Sequence, residues 1–220
     1  LDAARRYKKE AHKWGMHIPT TAGVWDAGVS IKSPAAGVNL IQAIRANELL
    51  GSSVALVAFF EEDAPDMRDE ASYGPIVKLL QKAAPYAADA GVCLGLENSM
   101  NTVDNIGLVE FVDRPNVKIY YDVYNLANYG FPEETAPAVE KFGLDRICAV
   151  HVKNRNGWGG NRLIEEIDKF DWRTVFRAFT DAGYGGWFVL ETGHTSARQC
   201  REATMKNIAF MKQYCTMPEG

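Results

Sequence analysis

The sequence predicts an α/β protein of the (β/α)8 TIM-barrel class, on three observations. Strand-like and helix-like segments alternate along the chain, which is the pattern of parallel strands joined by helical crossovers. The length of 220 residues suits one barrel domain, since such domains commonly have roughly 200–250 residues. Four apolar strands also end on a side chain that can bind a metal ion, and the strands of a barrel end on one face.

Each predicted helix except the last is followed by a glycine or proline break and then by an apolar run. The first helix covers 1–14 and ends at Gly15, a residue type that commonly follows the last helical turn. Six strands are predicted, over 16–21, 54–60, 92–97, 117–122, 147–151 and 187–191. The other helices are predicted over 38–50, 73–90, 102–112, 135–142, 171–182 and 197–214.

A closed barrel needs eight strands, whereas this chain provides six. The chain begins inside a helix, at Leu1 rather than at a methionine. We therefore expect it to lack the first strand–helix–strand segment, because that segment was removed, because another chain supplies it, or because the barrel is incomplete. A missing segment is favoured over a six-stranded sheet with bare edges. Residues 1–220 are otherwise expected to form a single domain.

The composition limits the binding partners and the cellular compartments that we expect for this protein. The net charge of −4 leaves no excess of Lys and Arg for a phosphate backbone, which argues against a nucleic-acid partner. The four cysteines form no Cys-x-x-Cys pair and are expected to be reduced. No apolar stretch approaches the roughly 20 residues that span a bilayer, and the N-terminus lacks the apolar core of a signal peptide. We expect a cytoplasmic homo-oligomer without a membrane partner.

Candidate metal ligands end the last four predicted strands. They are Glu97, Asp122, His151 and Glu191. Taken alone, such a carboxylate is usually a helix N-cap or a member of an ion pair, and a lone histidine is usually a satisfied polar group. Because the ligand type recurs at the same position in four successive units, the pattern predicts one shared divalent cation. Oxygen and nitrogen donors without thiolate suit Mn, Mg or Co.

At these residues the chain resembles a known group. The matching stretches are Gly-Leu-Glu-Asn at 95–98, Tyr-Asp-Val-Tyr-Asn at 121–125, Val-His-Val-Lys-Asn at 150–154 and Val-Leu-Glu at 189–191. They resemble the xylose isomerase-like TIM-barrel superfamily, which holds sugar-phosphate isomerases and epimerases and also the AP endonuclease family 2 repair nucleases. The resemblance spans about residues 1–215. It implies that Glu97, Asp122, His151 and Glu191 bind one divalent metal ion, with Mn first and Mg, Co or Zn as alternatives.

The nucleases of this superfamily differ from the chain at the residues that build their site. Their three-metal cluster needs a histidine three positions after the aspartate, where this chain has Asn125, and an Asp-x-His pair after the later histidine, which is absent here. The whole chain has four histidines. The resemblance therefore implies a single-metal enzyme of the isomerase and epimerase type.

Two of the expected ligands also suit proton transfer. Moving a proton next to a carbonyl needs a Lewis acid for the oxygens and a base for the proton. Glu97 and Glu191 are the predicted catalytic pair, acting on a small sugar or other polyhydroxy carbonyl compound, and their ordinary alternative is salt-bridging at the barrel mouth. Two other functions stay open. One is a metal-dependent dehydratase of the inosose or dehydroshikimate type, and the other is a non-catalytic sugar-binding or assembly subunit.

Three residues are predicted to contact the substrate. Lys153 lies on the same side of its strand as His151, because strand side chains alternate, although it could simply pair with a nearby acid. Arg155 offers a guanidinium for a hydroxyl or phosphate, with a solvated loop arginine as the alternative. Asn125 stands where related epimerases carry a substrate-contacting histidine, which argues against a ketohexose 3-epimerase. No phosphate loop of the G-x-x-x-x-G-K type is present, so phosphorylation of the substrate stays open.

Overall fold

The computed structural model of this protein describes residues 1–22, 29–153, 163–164 and 170–215. The chain forms two compact units, residues 1–120 and 121–220. The expectation that 1–220 is a single domain stays a prediction.

The first unit alternates helices and strands as the sequence predicts. Its elements are α1 (Asp2–Lys13), β1 (Thr20–Thr21), α2 (Ala36–Leu50), β2 (Val54–Phe59), α3 (Glu70–Asp89), β3 (Cys93–Asn98), α4 (Thr102–Val112) and β4 (Val117–Asp122), whose last two residues belong to the second unit. Strands β1 to β4 pair in chain order, and every pair is parallel. The register places Glu97 of β3 beside Ala58 of β2.

Helices of the first unit bury one stripe against these strands. In α2 the buried apolar positions are Ala36, Leu40 and Ile44, four residues apart. In α3 the buried set includes Ile76 and Leu80 and continues with the same helical spacing. Residues four apart lie on one face of a helix, so this spacing turns each apolar stripe toward β2 and β3. Buried strand residues such as Leu94 and Leu96 complete the core cluster.

The second unit continues the alternation of helix and strand. Its elements are α5 (Val123–Asn128), α6 (Pro137–Phe142), β5 (Ile147–Val152), α7 (Trp172–Ala182), β6 (Phe188–Leu190) and α8 (Ala197–Met211). Strands β5 and β6 are parallel neighbours. The parallel alternating pattern agrees with the predicted α/β barrel class.

Aromatic side chains form much of the core of the second unit. Helix α7 buries Trp172, Phe176 and Phe179, which lie at positions i, i+4 and i+7. The Phe188 ring of β6 packs edge-on against Phe176 and Phe179, with ring centroids 5.9 and 5.2 Å apart. This packing holds α7 against the β5–β6 pair.

Most predicted boundaries lie within three residues of the observed ones, and two elements differ more. The first strand, predicted over 16–21, is reduced to Thr20–Thr21. Pro19 explains this, because it has no N–H to donate to a neighbouring strand. Helix α5 was not predicted, since its six residues are too few to show a helical period. In the described part of the chain, no helix combines the length and the apolar character needed to cross a membrane.

Candidate metal centre

Three predicted ligands lie at the carboxyl ends of strands in the second unit. Asp122 is the last residue of β4, and His151 is the next to last of β5. Glu191 directly follows β6, and its backbone N–H donates to the Val152 carbonyl at 3.0 Å. The register pairs His151 with Val189. Because side chains alternate along a strand, Glu191 points to the same face as His151.

These three side chains converge. One ligand atom each from Asp122, His151 and Glu191 lies within 4.8 Å of the others. The His151 Nδ1 atom is 3.4 Å from Glu191 Oε2 and 3.9 Å from Asp122 Oδ2. Ligands of a small divalent cation stand roughly 2.1 Å from it, so two ligands of one ion are at most roughly 4.2 Å apart. Both measured distances fit within this limit.

The Asp122 carboxylate has two different tasks. Its Oδ1 atom accepts a hydrogen bond from the Asn125 backbone N–H at 2.9 Å, which caps the first turn of α5. Its Oδ2 atom faces His151, and the side chain is fully buried. The helix cap therefore fixes the rotation of the carboxylate and directs Oδ2 toward the cluster.

A lysine joins the same cluster. The Lys153 Nζ atom lies 2.8 Å from Asp122 Oδ2 and 3.0 Å from Glu191 Oε2. These are the two oxygens that face His151 Nδ1. The prediction that Lys153 shares a side with His151 is consistent with this geometry, and so is the alternative in which it pairs with nearby acids. The sequence did not show that the two acids paired with Lys153 would both be candidate metal ligands, Asp122 and Glu191.

The electrostatics of the cluster favour a neutral imidazole. Burial lowers the pKa of His151, and the positive charge of Lys153 lowers it further, whereas the negative charges of Asp122 and Glu191 act in the opposite direction. Burial is the largest of these effects, so the pKa falls below the ordinary value of 6.5. A neutral imidazole is the form that binds a metal ion.

The chemistry of the donor set fits a divalent cation. Two carboxylate oxygens and an imidazole nitrogen, with no thiolate, are suitable ligands for Mn, Mg, Co or Zn. Asp122 and His151 would hold such an ion from buried positions, and Glu191, whose side chain is 31% exposed, from the more open side.

Glu97 belongs to the first unit, where it is the buried next-to-last residue of β3. The turn after it is held by a cluster of asparagine side chains that was not predicted from the sequence. Asn98 donates from Nδ2 to Asn105 Oδ1 at 2.7 Å, and its Oδ1 accepts from the Met100 N–H at 2.9 Å. A signal for this cluster was available in the asparagines that follow Glu97. The metal-binding and catalytic roles of Glu97 stay predictions.

The predicted substrate contacts are less defined. Asn125 is buried in the first turn of α5, and its backbone N–H is the donor to Asp122. Arg155 lies outside the described residues. The substrate-binding roles of Asn125, Lys153 and Arg155 stay predictions.

Parallel strands alternating with helices, and a carboxylate–imidazole cluster at the strand ends, define an α/β-barrel protein with a candidate metal centre. The model of the family described as xylose isomerase-like TIM barrel matches residues 2–214. The chain therefore belongs to this family, and the resemblance seen in its motifs is confirmed.

Solved structures share the fold. D-psicose 3-epimerase from Clostridium cellulolyticum H10, solved with D-tagatose, superposes with a TM-score of 0.77 at 18% identity, over 96% of this chain and 83% of that one. D-allulose 3-epimerase from a Methylomonas species, solved with D-allulose, superposes with a TM-score of 0.76 at 19% identity, over 96% of this chain and 81% of that one. A sugar phosphate isomerase/epimerase from Parabacteroides distasonis ATCC 8503 superposes with a TM-score of 0.70 at 17% identity, over 94% of this chain and 74% of that one. The comparison with curated proteins found no match.

Proposed function

We propose that this protein is a divalent-metal-dependent isomerase or epimerase of a small sugar or other polyhydroxy carbonyl compound. The observation that carries the proposal is the convergence of Asp122, His151 and Glu191 at the strand ends. The fold supports it, since sugar epimerases and isomerases are among the solved structures that share this fold. Fold alone does not define a reaction, so the donor set carries the chemical part of the argument.

The proposed ligand set is Glu97, Asp122, His151 and Glu191, with Mn²⁺ as the first expectation for the ion. Glu97 is included on its place in β3 and on the family's motif. When bound, the cation would act as a Lewis acid that stabilises negative charge on the carbonyl oxygen of the substrate. Asp122 and His151 are proposed to anchor it, because both are buried.

Glu191 is the proposed base that takes the proton from the carbon next to the carbonyl. Its side chain is the most exposed of the cluster, which leaves it accessible to a substrate. Glu97, on another strand, is proposed to start as the carboxylic acid and to donate its own proton to the substrate, so that Glu191 ends protonated and Glu97 ends as the carboxylate. Return to the same carbon from the opposite side gives an epimer, and return to the neighbouring carbon gives the isomer.

Lys153, Asn125 and Arg155 are the proposed substrate contacts. Lys153 would polarise a substrate oxygen with its ammonium group. We also propose a cytoplasmic homo-oligomer, consistent with four cysteines that are not joined by disulfides, and a small-molecule partner rather than a nucleic acid.

Elemental analysis of purified, metal-reconstituted protein tests the proposal, beside His151→Ala and a matched control, His12→Ala. His12 lies on the exposed helix α1, outside the cluster. We expect about one Mn, Co, Mg or Zn per chain in the wild type and in His12→Ala, and its loss in His151→Ala. No bound metal in the wild type overturns the proposal, and about three zinc ions per chain would favour the nuclease chemistry instead.

Product analysis then separates the reactions. Ketoses and keto acids are screened by NMR for epimers or isomers. A dehydratase would instead form a conjugated carbonyl that absorbs in the ultraviolet, and a binding subunit would give no product. Either of these results would replace the isomerase assignment while leaving the metal site in place.

A further inference from the structure

The Lys153 ammonium occupies the side of the cluster where a cation is expected. It contacts Asp122 Oδ2 at 2.8 Å and Glu191 Oε2 at 3.0 Å. Both oxygens also face the Nδ1 atom of His151, at 3.9 and 3.4 Å. The ammonium therefore offsets part of the negative charge that would otherwise attract a divalent ion to these oxygens.

A metal ion on the same oxygens would lie very close to this ammonium. An ion roughly 2.1 Å from Asp122 Oδ2 would be no farther than roughly 4.9 Å from Nζ, because Nζ is itself 2.8 Å from that oxygen. Two cations this close repel strongly in a site with little solvent, and the Lys153 side chain is only 15% exposed. The two cations compete for the same carboxylates.

We infer that Lys153 is the resident cation of the metal-free site and that a divalent metal ion displaces its ammonium group. This inference rests on the proposed function, since it concerns the same metal site. Charge balance supports the exchange. Asp122, Glu191 and Lys153 together carry a formal charge of −1, so the buried Asp122 carboxylate and the partly exposed Glu191 carboxylate have a counter-charge in the metal-free protein.

The exchange joins metal loading to substrate recognition. The lysine side chain has a flexible four-carbon stem. The ammonium can therefore leave the carboxylates while the Lys153 backbone stays in place directly after β5. The released ammonium then becomes available to a substrate oxygen. Lys153 therefore lowers metal affinity and gains its proposed substrate contact only in the metal-loaded protein.

Mn²⁺ affinity measured by titration calorimetry on chelator-stripped protein tests this exchange. Lys153→Met keeps the apolar stem and removes the charge, and we expect it to bind Mn²⁺ about tenfold tighter or more than the wild type. Lys153→Arg keeps the charge and is expected to show no such gain. The matched control is Lys206→Met, which makes the same substitution at an exposed position in α8 and should leave the affinity unchanged. Equal or weaker binding by Lys153→Met overturns the inference and assigns Lys153 to positioning the ligands.

A second measurement needs no substitution. The wild-type protein is treated with an amine-acylating reagent at fixed pH, with and without Mn²⁺, and modification of Lys153 is quantified by mass spectrometry. We expect Mn²⁺ to raise the modification of Lys153 several-fold relative to Lys206 in the same sample. Unchanged or reduced modification at saturating Mn²⁺ overturns the displacement. If the wild-type protein binds no Mn²⁺, the proposed metal-dependent function itself fails. If it binds Mn²⁺ without a change at Lys153, only the displacement of the lysine fails.

Discussion

Replacing Asp122 by Asn and Lys153 by Met, singly and together, measures how strongly these two charges stabilise the metal-free protein. The oppositely charged atoms are 2.8 Å apart, the Asp122 side chain is fully buried, and the Lys153 side chain is 15% exposed. At an effective dielectric constant of about 20, this distance corresponds to a Coulomb attraction of about 6 kcal/mol. Desolvation of both groups opposes it, so we expect a net coupling energy of about 2–4 kcal/mol.

The single variants should differ in cost. Lys153→Met removes the cation from two carboxylates and should cost about 3–5 kcal/mol of unfolding free energy. Asp122→Asn should cost less, because the ammonium keeps Glu191 at 3.0 Å. The asparagine oxygen can also keep the helix cap that Asp122 Oδ1 makes with the Asn125 N–H. The double variant should therefore be more stable than the two single losses would predict by addition.

Urea unfolding in the presence of a chelator provides the free energies, because urea is uncharged and does not screen the pair. A control cycle uses Glu10→Gln and Lys13→Met, an exposed pair of α1 whose atoms are 3.4 Å apart. The coupling energy measured in that control cycle should be about 0.5 kcal/mol or less. A coupling below about 0.5 kcal/mol for Asp122 and Lys153 as well would refute the reasoning that these charges form a buried pair.

Three further predictions concern the second unit. Burial lowers the pKa of His151, so its contribution to stability is present above about pH 6.5 and is lost as the pH falls from there through the folded-state pKa, by up to about 1.4 kcal/mol per pH unit. Metal-free wild type should therefore lose more stability than His151→Asn between pH 7 and 5 in urea unfolding, and equal slopes would contradict this. Burial raises the pKa of Cys215 to about 11, so a thiol reagent at pH 8 should modify exposed Cys200 first and Cys215 only after unfolding, as read by mass spectrometry. Asp171 caps α7 through the Thr174 N–H, and its replacement by Ala should lower the unfolding free energy by about 1 kcal/mol, whereas Asp181→Ala near the exposed end of that helix should change it by less than about 0.5 kcal/mol.

The fold was largely predictable because its signals are local. Helix α4 was predicted with its observed bounds, Thr102–Val112. Its first residue follows Asn101, whose side chain accepts a hydrogen bond from the Asp104 N–H, and it ends just before an Arg-Pro sequence. The first strand was predicted to be longer than it is, because an apolar run does not show which backbone groups find a hydrogen-bond partner. Helix α5 was missed because its six residues are too few to show a helical period, and the first four of them are buried.

The convergence of three candidate ligands was predictable from the sequence, but the contacts around them were not. Strand ends place Asp122, His151 and Glu191 on the same side of parallel strands, and the structure brings the three together. Strand periodicity gives the side on which Lys153 points, but its partners depend on the side-chain rotamer and on the neighbouring strand. Those contacts arise only from tertiary packing, so no local pattern could indicate them.

Asp122 also shows why a motif at a strand end does not force a choice between a structural and a chemical role. Its Oδ1 atom caps α5, and its Oδ2 atom faces the cluster. Because Oδ1 accepts from the Asn125 N–H, Oδ2 is the Asp122 oxygen that would face a cation at this site. The helix cap thus sets the orientation of the Asp122 carboxylate, which makes the short helix after β4 part of the candidate metal centre rather than a simple connection.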